Sequence, residues 1–210
     1  MRKIFFILVF FTAGLLVRAQ NKPLDAATIN KVKSGVADCA ARTITIFSDF
    51  TQEKEMSILN DKIITSGKFY FKKEKQLRWE YIHPFSYVIT INGDEITIRN
   101  DGKISSFNSQ SNRIFSEVNK IIIGSVRGTL LDDDTFRASY SQSNGNFIVK
   151  LTPLSPRLKE SLQEIIIHFN KKDFTVDRLE MIEQGGDFTK INFTDKRINE
   201  PISDEKFILR

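Results

Sequence analysis

Two spacings of apolar residues divide the chain. Between residues 24 and 42, Ile29, Val32 and Val36 recur at intervals of three and four, which is the period of one helix face. From Thr43 onward the interval falls to two, the spacing of strands that bury one face. The pattern therefore predicts one amphipathic helix followed by a chain composed mostly of strands.

The predicted strands are short and regularly spaced, about ten or eleven in number, and the last is predicted at Lys206–Arg210. Turn residues such as Asn92-Gly93 join neighbouring strands as hairpins. Residues 119–131 break the series, where an apolar cluster predicts a second, short helix. We expect a mainly β (α+β) fold with one antiparallel sheet that is strongly curved or partly closed.

Several predicted strands carry a markedly apolar face. Phe69 alternates with Phe71, and Trp79 with Tyr81, so each pair lies on one side of its strand. A sheet with few helices must cover such a face. Two arrangements fit equally well: an ordinary filled core, or an apolar cavity closed by the helices 24–42 and 119–131. Periodicity does not separate them.

The first residues have the form of an export signal. A basic start, Arg2-Lys3, precedes the apolar run 4–17, and Val17-Arg18-Ala19 resembles a small-residue cleavage site. The run is shorter than the roughly 20 residues of a membrane-spanning helix. We expect a secretory signal peptide at residues 1–19 and a single exported domain at 20–210, rather than a membrane anchor.

Removal of that segment changes the charge. The full chain has 31 basic and 26 acidic residues and a formal charge of +5. Residues 1–19 contain Arg2, Lys3 and Arg18 and no acid, so the mature chain would carry only +2. A nearly neutral chain with scattered basic residues does not favour nucleic acid as a partner.

Reactive side chains are scarce. Cys39 is the one cysteine and lies on the predicted helix stripe, so we expect a small buried apolar residue there and no lipidation site. His83 and His168 are the two histidines, and neither has the acidic spacing of a catalytic pair or metal site. We expect no catalytic residue, no metal and no cofactor. An exported enzyme such as a hydrolase stays open as a rival if these histidines approach acids or serines in space.

Ordered segments along the chain give a family resemblance. They are Phe50-Thr51-Gln52, Ser66-Gly67-Lys68-Phe69, Leu77-Arg78-Trp79-Glu80-Tyr81 followed by Pro84, the Asn92-Gly93 turn, Phe147–Pro153, Leu162–Phe169, Thr175–Glu183, Thr189–Phe193 and Asp204–Phe207. Their order resembles the periplasmic outer-membrane lipoprotein carrier family, LolA. The resemblance covers nearly the whole mature chain, although no single motif is diagnostic.

The resemblance implies an architecture and a role. The family fold is an incomplete, strongly curved antiparallel barrel with a helical lid over an apolar cavity that takes lipoprotein acyl chains. Implied partners are acylated lipoproteins, an inner-membrane lipoprotein-releasing transporter and an outer-membrane acceptor, and we expect a periplasmic monomer. The alternative is an exported binding module for another lipid or apolar ligand.

The apolar strand faces and the resemblance together give candidate residues. The candidate cavity residues are Phe50, Phe69, Phe71, Leu77, Trp79, Ile89, Ile91, Phe147 and Val149. The candidate lid residues are Ile122, Val126, Leu130 and Lys73. Lys73-Glu74 stands where the family often has Arg-Pro, with an arginine that contacts the lid. Lysine donates a hydrogen bond but lacks the planar fork of arginine, so Lys73 is expected to be at most a weak latch.

Overall fold

The computed structural model describes residues 22–58, 61–73, 75–108, 123–124, 128–132 and 134–209. Within these ranges, no helix has the length and apolar character needed to cross a membrane. The predicted signal peptide, the lid residues Ile122 and Val126, and Glu74 lie outside the described residues.

Strands make up most of the described chain. They are β1 (Lys22–Pro23), β2 (Thr45–Glu55), β3 (Lys62–Lys72), β4 (Gln76–His83), β5 (Tyr87–Asn92), β6 (Glu95–Asn100), β7 (Lys103–Asn108), β8 (Phe136–Gln142), β9 (Asn146–Pro153), β10 (Leu162–Asn170), β11 (Val176–Glu183) and β12 (Phe188–Ile198). The α-helices are α1 (Ala26–Arg42) and α2 (Pro156–Lys159), and short 3-10 helices lie at Thr129–Asp132 and Asp204–Phe207.

All of these strands belong to one sheet in the order β1-β8-β9-β10-β11-β12-β2-β3-β4-β5-β6-β7. Each neighbouring pair is antiparallel, and most are joined by short turns. The order leaves β1 and β7 at opposite edges, so the described sheet is open rather than a closed barrel. The predicted mainly β, curved antiparallel fold is confirmed, with twelve strands if the two-residue β1 is counted.

A capped start and one buried stripe of side chains define helix α1. The Asp25 carboxylate accepts a hydrogen bond from the Thr28 amide at 2.7 Å, so the helix begins at Ala26, after its cap. Val32 and Val36 are buried, one turn apart, as the sequence pattern predicts. The stripe therefore fixes which side of α1 meets the sheet.

One residue breaks the alternating pattern of β2 for a structural reason. Phe47 lies on the face of β2 opposite to Phe50, and its ring centroid is 4.9 Å from that of Tyr70 on β3. The guanidinium of Arg197 lies 4.0 Å from the Phe47 ring centre. The face of the sheet that carries Phe47 thus has its own aromatic pair, covered by a cation.

The predicted strand at Lys206–Arg210 is wrong. The chain forms a 3-10 helix at Asp204–Phe207, and the Ser203 hydroxyl caps it by accepting from the Glu205 amide. Phe207 is fully buried, and Arg78 donates to the Lys206 carbonyl oxygen at 3.2 Å. A capped turn that anchors one aromatic side chain replaces strand pairing at this end of the chain.

Candidate functional site

Strand register brings the predicted cavity residues onto one face of the sheet. Phe71 on β3 pairs with Leu77 on β4, and Leu77 pairs with Ile91 on β5. A second row of side chains lies two residues further along the same strands, where Phe69 pairs with Trp79 and Trp79 pairs with Ile89. Because residues two apart on a strand share a face, both rows point to the same side, which we call the inner face.

The second half of the sheet continues the inner face. Val149 on β9 pairs with Ile167 on β10, and Ile167 pairs with Leu179 on β11. Leu179 pairs in turn with Ile191 on β12, and Ile191 with Gln52 on β2. Since Gln52 lies on the same face as Phe50, Phe147 and Val149 face the same side as the residues of β2–β5.

Aromatic rings form the centre of the inner face. The Trp79 ring centroid lies 5.0 Å from those of Phe50 and Phe69 and 6.0 Å from that of Phe193. Phe50 also meets Tyr81 edge-to-face at 5.2 Å. These separations and tilted geometries are those of favourable aromatic contacts. We call these five residues the aromatic cluster.

The predicted cavity residues are packed together in this conformation. Ile89 is partly buried, and the other eight have exposures between 0 and 7%. The eight are Phe50, Phe69, Phe71, Leu77, Trp79, Ile91, Phe147 and Val149. The inner face is therefore a filled core here, and contact of these side chains with a ligand stays a prediction.

A small cavity remains between α1 and the inner face. It has a volume of about 30 Å³, and its lining includes Cys39 of α1 and Thr43, which follows the helix, together with Phe69, Phe174 and Phe193. That volume is roughly the share of one water molecule in the liquid. An acyl chain would therefore require α1 to move away from the sheet.

Glycines let the covering segments pack closely. A Cβ on Gly35 of α1 would lie 2.4 Å from the Phe174 ring, and one on Gly128 would lie 2.4 Å from Val36. Gly128 also has φ +69°, a conformation that favours glycine. Leu130 follows in the 3-10 helix and is buried in the core, so the described part of the predicted lid lies against α1 and the core.

Lys73 lies beside a groove at the edge of α1. The groove has a volume of about 360 Å³ and is lined by Ala37, Ala40, Ala41, Thr43, Phe71, Lys73 and Thr129. The Lys73 ammonium donates to the Ala41 carbonyl oxygen at 3.3 Å, and its backbone N–H donates to the Ile44 carbonyl oxygen at 2.7 Å. Lys73 thus contacts the end of α1, while a latch role stays a prediction.

A polar cluster closes the cavity at one end. The Lys196 ammonium forms an ion pair with Asp177 and donates to the Thr175 hydroxyl at 2.6 Å. Asp177 accepts further hydrogen bonds from Asn146 at 2.6 Å and Asn170 at 3.1 Å. A bulge in β12 just before Arg197 brings Lys196 to the cavity wall, so the apolar face ends at a fully paired charge.

Sequence reasoning missed two kinds of inner-face residue. Phe193 belongs to the aromatic cluster, and its alternation with Ile191 was a usable signal. Ser48 and Thr65 are buried on the inner face, but an isolated hydroxyl residue in a strand carries no signal of its position. Only the register identifies them as part of the face.

His168 contacts an acid, and His83 is exposed at the end of β4. His168 lies with Glu180 on the outer face, with Nε2 3.0 Å from the Glu180 carboxylate, and is neither exposed nor alone. The close contact with His168, with Arg178 and Lys190 nearby, lowers the pKa of Glu180 below its usual range. Among the described residues, no group of three or more His, Cys, Asp or Glu side chains could hold a metal ion.

Comparison with known proteins assigns the family. The model described as "Outer membrane lipoprotein carrier protein LolA" matches residues 41–210. The chain belongs to the LolA family. The resemblance drawn from the ordered strand segments is therefore confirmed. No curated protein matches this LolA-family sequence.

A solved structure with a TM-score above 0.5 supports this fold. An uncharacterized conserved protein from Thermus thermophilus is 9% identical, and the match covers 86% of this chain and 92% of that one with a TM-score of 0.52. A LolA superfamily protein from Nitrosomonas europaea matches at 9% identity, 86% and 97% coverage and a TM-score of 0.48. The lipoprotein LppX of Mycobacterium tuberculosis matches at 10% identity, 85% and 99% coverage and a TM-score of 0.49.

Proposed function

We propose that residues 20–210 form an exported, periplasmic carrier that shelters lipoprotein acyl chains between the inner and outer membranes. The observation that carries the proposal is the inner face, whose apolar rows continue in register through both halves of the sheet. Family membership supports the same role. The carrier performs no catalysis and uses no cofactor, in keeping with a site in which hydrocarbon and aromatic side chains predominate.

A carrier must bind acyl chains and release them without an energy source of its own. Burial of one methylene is worth about 0.8 kcal/mol, so a chain of about 16 carbons carries roughly 12 kcal/mol of transfer free energy. The aromatic cluster reduces the net gain, because a bound chain must first separate side chains that pack on one another, such as Phe69 and Trp79. When the chain leaves, these contacts form again and assist release.

The path of the carrier follows from the proposed cargo. Residues 1–19 would direct export and then be removed. An inner-membrane transporter would deliver the acylated lipoprotein, and an outer-membrane acceptor would receive it from a monomeric carrier. Movement of α1 would open the inner face, and the groove beside Lys73 and Phe71 offers a place where the first chain could enter.

The decisive experiment is recovery of cargo. The mature protein should be purified from its host envelope and analysed by mass spectrometry for bound molecules. Triacylated lipoproteins would support the proposal, free lipid alone would favour the alternative binding module, and recovery of neither would contradict both. Trp79 is the one tryptophan, so a lipid brominated in its acyl chain should quench its fluorescence if the chain reaches the aromatic cluster.

Two neighbouring residues on β6 provide a matched comparison. Ile98 pairs with Ile89 on the inner face, and Arg99 is on the opposite face. Ile98→Ser should weaken retention of the brominated lipid, whereas Arg99→Ser should leave it near the wild-type value. Equal retention by both variants would argue against the inner face as the binding surface.

A further inference from the structure

Three polar groups are buried in the inner face without a partner. Ser48, Thr65 and Trp79 have exposures of 1, 3 and 3%. Within the described ranges, the Ser48 hydroxyl, the Thr65 hydroxyl and the Trp79 indole N–H form no hydrogen bond. Buried polar groups are nearly always hydrogen-bonded, because leaving one unpaired costs free energy. Alanine, valine and phenylalanine would fill these places without that cost.

Strand register places the three groups on the same side of the sheet. Ser48 pairs with Phe69, and Phe69 pairs with Trp79, so Ser48 and Trp79 are two strands apart, roughly 10 Å. Thr65 pairs with Gln52. Gln52 lies four residues from Ser48 along β2, and these two residues are therefore about 13 Å apart. The groups are therefore spread across the face where acyl chains are proposed to lie.

The chemistry of the groups limits the ligand atom that could satisfy them. An indole N–H can only donate a hydrogen bond, and serine and threonine hydroxyls can donate as well. The shared complement is an acceptor oxygen. The adjoining rings of Phe50, Phe69 and Phe193 disfavour a charged acceptor, because a carboxylate or phosphate would lose its hydration without a counterion.

The nearest cation at the cavity is already occupied. The Lys196 ammonium donates to the Thr175 hydroxyl, the Val176 carbonyl oxygen and the Asp177 carboxylate. These three bonds use all three N–H groups of the ammonium. An anionic headgroup would therefore have to displace one of these bonds. A neutral carbonyl oxygen needs no such exchange.

We propose that the inner face binds the carbonyl oxygens of acyl esters or amides through hydrogen bonds from Trp79, Ser48 and Thr65. This inference rests on the proposed carrier function and makes it more specific: the ligand is an acylated molecule, not a plain hydrocarbon. Ser48 lines the small cavity under α1, so movement of α1 would give a carbonyl group access to it.

The test compares two lipids with the same chains. Dipalmitoylglycerol has ester carbonyl groups, and di-O-hexadecylglycerol has ether links in their place. Displacement of an apolar dye should show tighter binding of the ester by about fivefold for each neutral hydrogen bond formed. Trp79→Phe, Ser48→Ala and Thr65→Val should each lower the ester-to-ether affinity ratio by a similar factor.

Thr90→Val is the matched control. Thr90 is equally buried, at 2%, but lies on the outer face, where its hydroxyl donates to the Thr97 carbonyl oxygen. Its loss should leave the ester-to-ether ratio unchanged. A second readout uses the single indole N–H: its NMR signal should shift downfield with the ester lipid and less with the ether.

The outcomes separate the two proposals. Equal affinity of the wild-type protein for ester and ether would overturn this inference and leave the carrier function standing, with water as the partner of the three groups. Binding of neither lipid would overturn both. Because the wild-type ratio and the indole signal need no substitution, a variant that fails to fold does not remove the test.

Discussion

The ammonium of Lys73, the residue that follows β3, lies 3.3 Å from the Ala41 carbonyl oxygen in the last turn of α1. A cation at this position also interacts favourably with the negative end of the helix dipole. The contact therefore joins the helix that covers the inner face to the sheet beneath it, beside the groove lined by Phe71.

Loss of this contact should loosen the end of α1. Lys73→Ala should destabilise the helix end by about 0.3–1 kcal/mol, because the side chain is exposed and its interaction with the dipole is screened. Hydrogen exchange of the Thr43 amide, which bonds to Cys39 and Ala40, should become faster. Lys73→Arg should keep the slow exchange, and Lys103→Ala on the edge strand β7 serves as the control. Equal exchange in all variants would contradict a latch.

Cys39 can report movement of α1 directly. It is the single cysteine, lines the cavity under the helix, and burial raises the pKa of its thiol, so little reactive thiolate is present at neutral pH. Maleimide labelling should be slow in the wild-type protein and faster in Lys73→Ala. Ligand that holds α1 open should accelerate it too. Fast labelling that neither change alters would mean that the thiol is accessible without helix movement.

The fold was predictable because its signals are local. A stripe at Val32 and Val36 sufficed for α1, and alternation of Phe69 and Phe71 sufficed for β3. Phe207 shows where such signals fail. An isolated apolar residue near the chain end suits a strand or an anchored turn equally, and only its burial against the outer face decides between them.

The candidate site was predictable only in part. Alternation and family resemblance selected Trp79 and Val149 for the inner face, and the register places both there. Whether the face is filled or open depends on distances between side chains from separate strands, such as Phe69 and Phe193, which no local pattern encodes. The unpaired hydroxyl of Ser48 becomes visible only when every neighbour is known.

Acid stability should depend on Glu180. Its pKa is lowered in the fold below the ordinary value of 4.5, mainly by the contact with His168, so the ionised carboxylate gives its full stabilisation above about pH 4.5. That contribution is lost as the pH falls below 4.5 and through the lowered pKa. Glu180→Gln should therefore flatten the fall in unfolding free energy in this range, measured by urea titration. Glu200→Gln, at an exposed surface pair, should retain the wild-type slope.

Gly67 at the middle of the inner face should tolerate no side chain. A Cβ there would lie 1.9 Å from the backbone oxygen of Glu80, so Gly67→Ala must shift β3 away from β4. Overpacking of this kind costs about 1–3 kcal/mol, and the fixed backbone neighbour favours the upper end. Gly145→Ala, with no atom within 4 Å of the added Cβ, should be nearly neutral. Comparable urea midpoints for both variants would show that the strands separate easily, which would contradict the close approach that lets Phe50 and Tyr81 meet across this glycine.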